Sequence, residues 1–356
     1  MRVWFAAAIP PDSRGGVRRV MEELGSGLSL RGHTVTLLTL PHARRSYLWF
    51  CVHLAWRWVC TRPRPDWVVA RSCDGYVVAL LTALLPRSTT RVALHNHGWE
   101  EKVWDVERRL PPGVDVVPVT GWKARLVRFP LLRATLRLCA CCLCETVDEM
   151  RWIRRRYPSR AQRVRYLPTG VSVPPCPRWP GQEHYAPNVL FVGGDTWKKN
   201  LRGALALFAA LRERIPGACW HGVGTGPLDP MLRRAAGADA RWVEQEDPAQ
   251  MGAWYTTCPV LLSLSRYEGG HPLAVLEAMS WGCVVVTSPV LSTLEVIRHG
   301  HNGLCINPGD PGAAAAVLAR CLQDPRAFSR LGYAAWRTAH HHRWERQVQR
   351  LERILA

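Results

Sequence analysis

Residues 172–188 read SVPPCPRWPGQEHYAPN, with five prolines in 17 residues. Proline fixes φ and has no amide donor, so this stretch suits neither a helix interior nor a central strand and reads as a linker between domains. The same rhythm runs outward from it in both directions. On the amino-terminal side, short apolar runs over 3–8, 34–40, 67–70, 92–95 and 116–119 predict strands. Helical patterns over 17–30 and 75–85 stand between them. On the carboxyl side, strands are predicted over 189–192, 219–223, 259–264 and 283–287, and helices over 201–214, 273–280, 313–323 and 324–355. Apolar strands alternating with helices imply parallel sheets covered on both faces. The expected class is therefore α/β, with two doubly wound domains facing across a cleft. The expected division is 1–171, a linker over 172–188, 189–335, and a terminal helix over 336–356 that packs back on the first domain.

The 356 residues are 47% hydrophobic and 21% charged, which excludes global disorder and a coiled coil. The 13 cysteines are odd in number and no leader precedes them, so they are expected as reduced thiols. Cys139, Cys141, Cys142 and Cys144 lack paired CxxC spacing and sit in an apolar run, which favours a buried strand over a metal site. No window of 18 uncharged apolar residues occurs; residues 47–60 come closest, but Arg57 interrupts them. The net charge is +19. Between Lys123 and Arg165 stand 12 basic and 3 acidic residues. There Leu126, Phe129, Leu132 and Leu136 interleave with Arg125, Arg128, Arg133 and Arg137. With the Trp-rich segment 49–67, this predicts a surface for anionic lipid. No nucleic-acid motif accompanies the basic stretch, so no nucleic-acid partner is expected.

Several segments carry chemistry. Gly15 and Gly16, preceded by Arg14, follow the first strand and open a helix whose amides suit an anion or a sugar oxygen. Gly193 and Gly194 end the strand after the linker. Lys198 and Lys199, two of the chain's four lysines, follow just before a helix, as a phosphate site requires. Residues 222–227, GVGTGP, place Gly224 where backbone meets a flat ligand. Residues 267–279, YEGGHPLAVLEAM, are the sharpest segment. Gly270, His271, Pro272 and Leu273 lead into a helix, so loop amides are predicted to hold a diphosphate, with Glu268 and Glu277 bracketing hydroxyl-rich parts of the ligand. His95 and His97 end a strand on the predicted cleft side.

Taken with Glu295 and the segment after it, these motifs resemble, in order and spacing, the GT-B retaining glycosyltransferases of family 4. The likeness runs almost end to end, from Gly15-Gly16 through Pro168-Thr169-Gly170-Val171 to the Trp344-Glu345 helix. The resemblance implies a GT-B fold of two Rossmann-like domains and metal-independent transfer of a sugar from a nucleotide sugar, with retention. It implies Lys199 on the diphosphate, assisted by Lys198, with Glu268 at the donor sugar and Glu277 at the ribose. It further implies His97 near the transferred sugar, His95 and Arg14 on the acceptor side, and Glu295 holding the loop. Two departures stand out. Gly194 occupies the family's arginine position, for which Arg266 is a candidate substitute. Glu268 and Glu277 are separated by eight residues where the family has seven. No DxD motif is present, and neither metal nor cofactor is expected. The implied partners are a nucleotide sugar, a glycan or polyprenyl or other lipid-linked acceptor, and an anionic membrane surface. The implied setting is cytoplasmic, peripheral to the membrane's inner face. The alternatives are a nucleotide-sugar epimerase of the same fold and a non-catalytic sugar-nucleotide-binding module.

Overall fold

The computed structural model describes residues 1–10, 15–40, 47–85, 87–110, 124–175, 187–224, 230–244 and 246–356. Arg14, Lys123, the strand predicted over 116–119 and most of the 172–188 linker lie outside them. The described chain forms two compact units, one of residues 1–110, 124–170 and 344–356, the other of Val171–Arg343. Each is built on a sheet of six parallel strands among the described residues.

The first unit runs β1 (Arg2–Ala6), α1 (Gly16–Leu30), β2 (Thr34–Leu38), α2 (Tyr47–Cys60), β3 (Trp67–Arg71), α3 (Tyr76–Leu84), β4 (Arg91–Asn96), α4 (Glu100–Glu107), α5 (Phe129–Leu138), β5 (Cys141–Cys144), α6 (Val147–Arg156) and β6 (Val164–Tyr166). The sheet order is β2-β1-β3-β4-β5-β6. Strand order reverses between β1 and β3, as in a doubly wound sheet. The cysteine run forms β5 and all four of its residues are buried. Burial pushes the Cys141 thiol up to about 12, so it stays protonated. Helix α6 is N-capped by Thr146, whose hydroxyl accepts from the Glu149 amide. Glu149 turns its own carboxylate to the Trp99 N–H at 2.6 Å.

Burial raises Glu149 to about 8. A carboxyl raised in the folded state contributes stability that is complete below its unfolded value of 4.5 and is lost as pH climbs through about 8. Thermal stability is therefore expected to fall on the order of a few kcal/mol across that window. Glu149→Gln keeps the acceptor and removes the titration, so its melting temperature should vary less between pH 6 and 8.5, as scanning calorimetry can check.

The second unit runs β7 (Asn188–Val192), α7 (Leu201–Arg212), β8 (Cys219–Val223), α8 (Pro230–Ala235), β9 (Arg241–Val243), α9 (Met251–Thr257), β10 (Val260–Ser263), α10 (Leu273–Ser280), β11 (Val284–Thr287), α11 (Leu291–Leu294), β12 (Leu304–Cys305), α12 (Pro311–Gln323) and α13 (Pro325–His341). Its order, β12-β11-β10-β7-β8-β9, reverses between β7 and β10. The single helix expected over 324–355 is two. Asp324 caps α13, accepting from the Arg326 and Ala327 amides. The helix then stops where the His342 carbonyl accepts from the Val171 N–H at 2.8 Å. This long-range partner ends the helix with no glycine or proline to announce the break.

The chain then re-enters the first unit as α14 (Trp344–Leu355). Glu352 of α14 meets Arg31 at 2.7 Å and His33 at 2.8 Å. Val348 lies so close to Gly27 of α1 that a Cβ there would sit 2.3 Å from Val348 Cγ2. Gly→Ala in a helix ordinarily adds up to about 1 kcal/mol of stability. Here the sign reverses, because a β-branched side chain cannot step aside. Gly27→Ala is expected to cost about 1–3 kcal/mol in chemical denaturation.

Candidate functional site

In the second unit the predicted residues converge where strand order reverses, beyond the carboxyl ends of β7 and β10. Gly193 has φ +137, and a Cβ there would stand 3.2 Å from Lys199 Cγ. Glycine thus lets the lysine stem lie across the loop. Asn200 staples the two strand ends together: its side-chain amide donates to the Leu264 carbonyl at 3.1 Å, and its oxygen accepts from Arg266 at 3.0 Å. The Arg266 N–H also donates to the Lys198 carbonyl at 2.7 Å. Arg266 therefore clasps the loop at Asn200 and Lys198.

Inside this clasp Lys199 Nζ meets Glu268 Oε1 at 2.7 Å, and the Ser265 hydroxyl donates to the same oxygen at 2.6 Å. Glu268 keeps only 12% of its side chain exposed. Lys198 lies over the rings of Tyr267 and Trp197, 5.5 and 5.8 Å from their centroids. Gly224, with φ +73, stands beside the glycine pair: a Cβ there would be 3.9 Å from the Gly193 nitrogen, and one on Gly194 3.9 Å from the Gly224 carbonyl. Residues 225–229 lie outside the described residues.

Two residues of the sharpest segment, Pro272 and His271, behave differently from the expectation. Pro272 has no N–H to offer; it is the N-cap of α10 (φ −64, ψ 120). The Val275 amide turns back to the Pro272 carbonyl. The amides of Leu273 and Ala274 at the helix start are then the donors for an anion. His271 is buried behind the loop, where Nε2 meets Glu295 Oε2 at 3.3 Å and the ring packs edge-on to His342. It and Glu295 hold the loop from within. Glu277 is buried in α10 and accepts from the Tyr255 hydroxyl at 2.8 Å.

In the first unit, Gly15 is the N-cap of α1 and Gly16 its first residue. Near the β1–β3 reversal, Asp74 accepts from the Ala8 N–H at 2.6 Å, and burial raises it to about 6. At the ends of β4 and β5, His97 Nδ1 meets Glu145 Oε1 at 2.7 Å. A carboxylate only accepts, so Nδ1 carries the proton and Nε2 is left as the basic nitrogen. That Nε2 is buried and has no hydrogen-bond partner among the described residues. His95 is only 2% exposed and packs 4.2 Å from the His97 ring. Burial, and secondarily His97, hold His95 well below the usual histidine range, so it stays neutral. Its ring backs that of His97. Candidate ligand atoms of His95, His97 and Glu145 lie within 4.8 Å of one another, the one such group found among the described residues. A cation there would displace the short His97–Glu145 bond.

The predicted lipid surface is redistributed. Phe129, Leu132 and Leu136 face the core, because α5 buries its apolar stripe against the sheet. Leu126 remains exposed. Arg128 pairs with Glu100 and Arg133 with Glu101, so acids of α4 neutralise part of the basic stretch. Within the Trp-rich segment, Val52, Trp56 and Val59 of α2 are exposed as well. Among the described residues no helix is long and apolar enough to cross a membrane.

The sequence reading gave no role to Glu145, Asn200 or Tyr255. The signal for Glu145 was local: it directly precedes Thr146, the N-cap of α6, which puts it at a strand's carboxyl end.

Residues 186–324 match the family model described as Glycosyl transferases group 1. D-inositol 3-phosphate glycosyltransferase of Thermobispora bispora is 29% identical over 231 residues, 59% of this chain and 54% of that protein. Phosphatidyl-myo-inositol mannosyltransferase of Mycolicibacterium smegmatis is 29% identical over 51% of this chain and 48% of its own. The chain spans about half the length of these curated relatives. Among solved structures, sucrose-phosphate synthase from Thermosynechococcus elongatus superposes with a TM-score of 0.74 at 18% identity, covering 99% of this chain and 97% of that one. Anabaena Alr3699/HepE in complex with UDP-glucose does so with a TM-score of 0.71 at 14% identity, covering 99% and 98%. Two parallel six-stranded sheets give the chain the GT-B fold, and residues 186–324, which hold the clasped lysine–glutamate pair at the second sheet's reversal, match the group 1 glycosyl transferases.

Proposed function

We propose that this protein transfers a sugar from a nucleotide-sugar donor to a glycan or lipid-linked acceptor, with retention at the anomeric carbon and without a metal ion. The observation that carries this reading is the Lys199–Glu268–Ser265 cluster beside the glycine loops and the start of α10. The difficult step is departure of a nucleoside diphosphate as the anomeric C–O bond breaks. Lys199 and the Leu273 and Ala274 amides supply fixed positive charge where negative charge develops. Glu268, which holds the lysine while no donor is bound, passes it to the diphosphate and turns its carboxylate to the donor sugar. The acceptor oxygen forms the new bond on the face the phosphate leaves, and its proton goes to the departing phosphate oxygen. Glu277, oriented by Tyr255, takes the ribose hydroxyls. The Nε2 of His97 accepts a hydrogen bond from a hydroxyl of the bound sugar and positions it.

A nucleotide-sugar donor is supported by the fold neighbour solved with UDP-glucose. A lipid-linked acceptor at the inner face of the membrane, in cell-surface polysaccharide or glycolipid synthesis, is supported by the exposed Val52, Trp56 and Val59 of α2. The relative named for phosphatidyl-myo-inositol supports it too. The test is incubation with UDP-, GDP- and ADP-sugars and a panel of acceptors. Acceptor-dependent release of nucleoside diphosphate is expected. Conversion of the donor with no acceptor consumed, or no release with any donor, would overturn the proposal.

A further inference from the structure

We infer that the first unit carries a second anion site, distinct from any at the strands' carboxyl ends, that binds a phosphate-bearing ligand. The site is a cavity of about 520 Å³ at the amino-terminal edge of the first sheet. Its floor is where strands begin: Trp67 opens β3, Arg91 opens β4 and Cys141 opens β5. His95 stands four residues further along β4, about 13 Å away at the rise of an extended strand. Ligands of doubly wound sheets bind beyond the carboxyl ends, so this cavity is no part of that site.

Three arginines, Arg91, Arg163 and Arg165, line it, and no acidic residue does. In the basic stretch Arg128 and Arg133 have carboxylate partners, as does Lys102 before it. Among the described residues none of the three cavity arginines has one. Arg163 gives one bond to the Cys139 carbonyl and Arg165 one to the Gln162 carbonyl. The Arg91 guanidinium lies 5.6 Å from the centroid of the Trp67 ring, which orients it without neutralising it. Each guanidinium has about five N–H donors, so most remain for a ligand. Like charges around one hollow repel each other, and an anion relieves that repulsion. Guanidinium forks match phosphate oxygens in pairs.

The volume suits a ligand larger than bare phosphate. Thr82 and Ala83 line the cavity from the end of α3, and the next two residues, Leu84 and Leu85, are exposed. An apolar shelf beside a cationic hollow fits a phosphoryl headgroup with an apolar tail, and a soluble phosphomonoester fits the hollow alone.

The test uses the full chain carrying Lys199→Gln, which weakens phosphate binding at the proposed donor site, with glycerol 3-phosphate as the calorimetric probe. Saturable binding is expected. It should weaken about tenfold or more in Arg91→Gln/Arg165→Gln. It should weaken similarly in Ala83→Glu, which removes no contact and places a carboxylate among the arginines. With Lys199 intact, neither substitution should change donor binding. Probe binding that is absent, or unaltered by both variants, would overturn the site. Competition by phosphatidic acid vesicles, and not by phosphatidylcholine alone, assigns the ligand to the membrane; binding without such competition assigns it to the soluble pool. Either result upholds the cavity as an anion site.

Discussion

Lys199→Ala is expected to lower kcat/KM for sugar transfer by about 10²–10³-fold, the cost of removing one preorganised stabiliser of a leaving oxyanion. That corresponds to about 3–4 kcal/mol of transition-state stabilisation. The lysine's place is fixed by several elements at once. Gly193 lets its stem cross the loop, and Asn200 ties that loop to the end of β10. Glu268 and Ser265 complete the clasp. Gly194 removes the arginine expected from the resemblance, and Arg266 is engaged with Asn200. The load therefore falls on Lys199. Lys198→Ala should cost far less, because that ammonium lies over Tyr267 and Trp197. Lys199→Arg should recover part of the rate. Steady-state kinetics of the three variants decide the matter, with far-ultraviolet circular dichroism to confirm the fold. A Lys199→Ala enzyme within a few-fold of the parent would exclude the lysine from the chemistry.

His97→Ala is expected to lower kcat by about 10²-fold, the cost of losing a group that positions a reactant. Glu145 acts through it, as a positioning residue. Its carboxylate holds the proton on Nδ1 and thereby leaves Nε2 basic. In Glu145→Gln the amide can present either oxygen or nitrogen, so the ring loses its fixed tautomer. A fall in kcat of about tenfold, with KM little changed, is expected. The double variant gives the sharper readout. If Glu145 works only by orienting His97, then adding Glu145→Gln to His97→Ala should cost nothing further. Additive losses would mean that Glu145 has a separate, structural role.

Much of the fold was legible because strand and helix patterns are local. Within β1, β3, β7 and β11 the runs 3–6, 67–70, 189–192 and 284–286 are apolar, as in strands covered on both faces. The glycine–lysine loop at 193–199 was legible for the same reason, since a strand end, a turn and a helix start occupy adjacent residues. The break between α13 and α14 was not legible, because a hydrogen bond to Val171 ends α13 and no residue within 324–355 does. The apolar stripe of α5 was read on the wrong side of the helix: periodicity shows that a helix has two faces, and only packing decides which of them meets the sheet.

By itself the sequence determined which residue types stand at the strand ends: glycines, two lysines, two histidines and the glutamates of the 267–279 loop. Tertiary structure alone decided who meets whom. Lys199 and Glu268 pair across 69 residues, and His97 and Glu145 across 48. Such pairings depend on strand order, which places β7 against β10 and β4 against β5. Strand order reflects the burial of a whole sheet between helices, a quantity that no short window of residues contains.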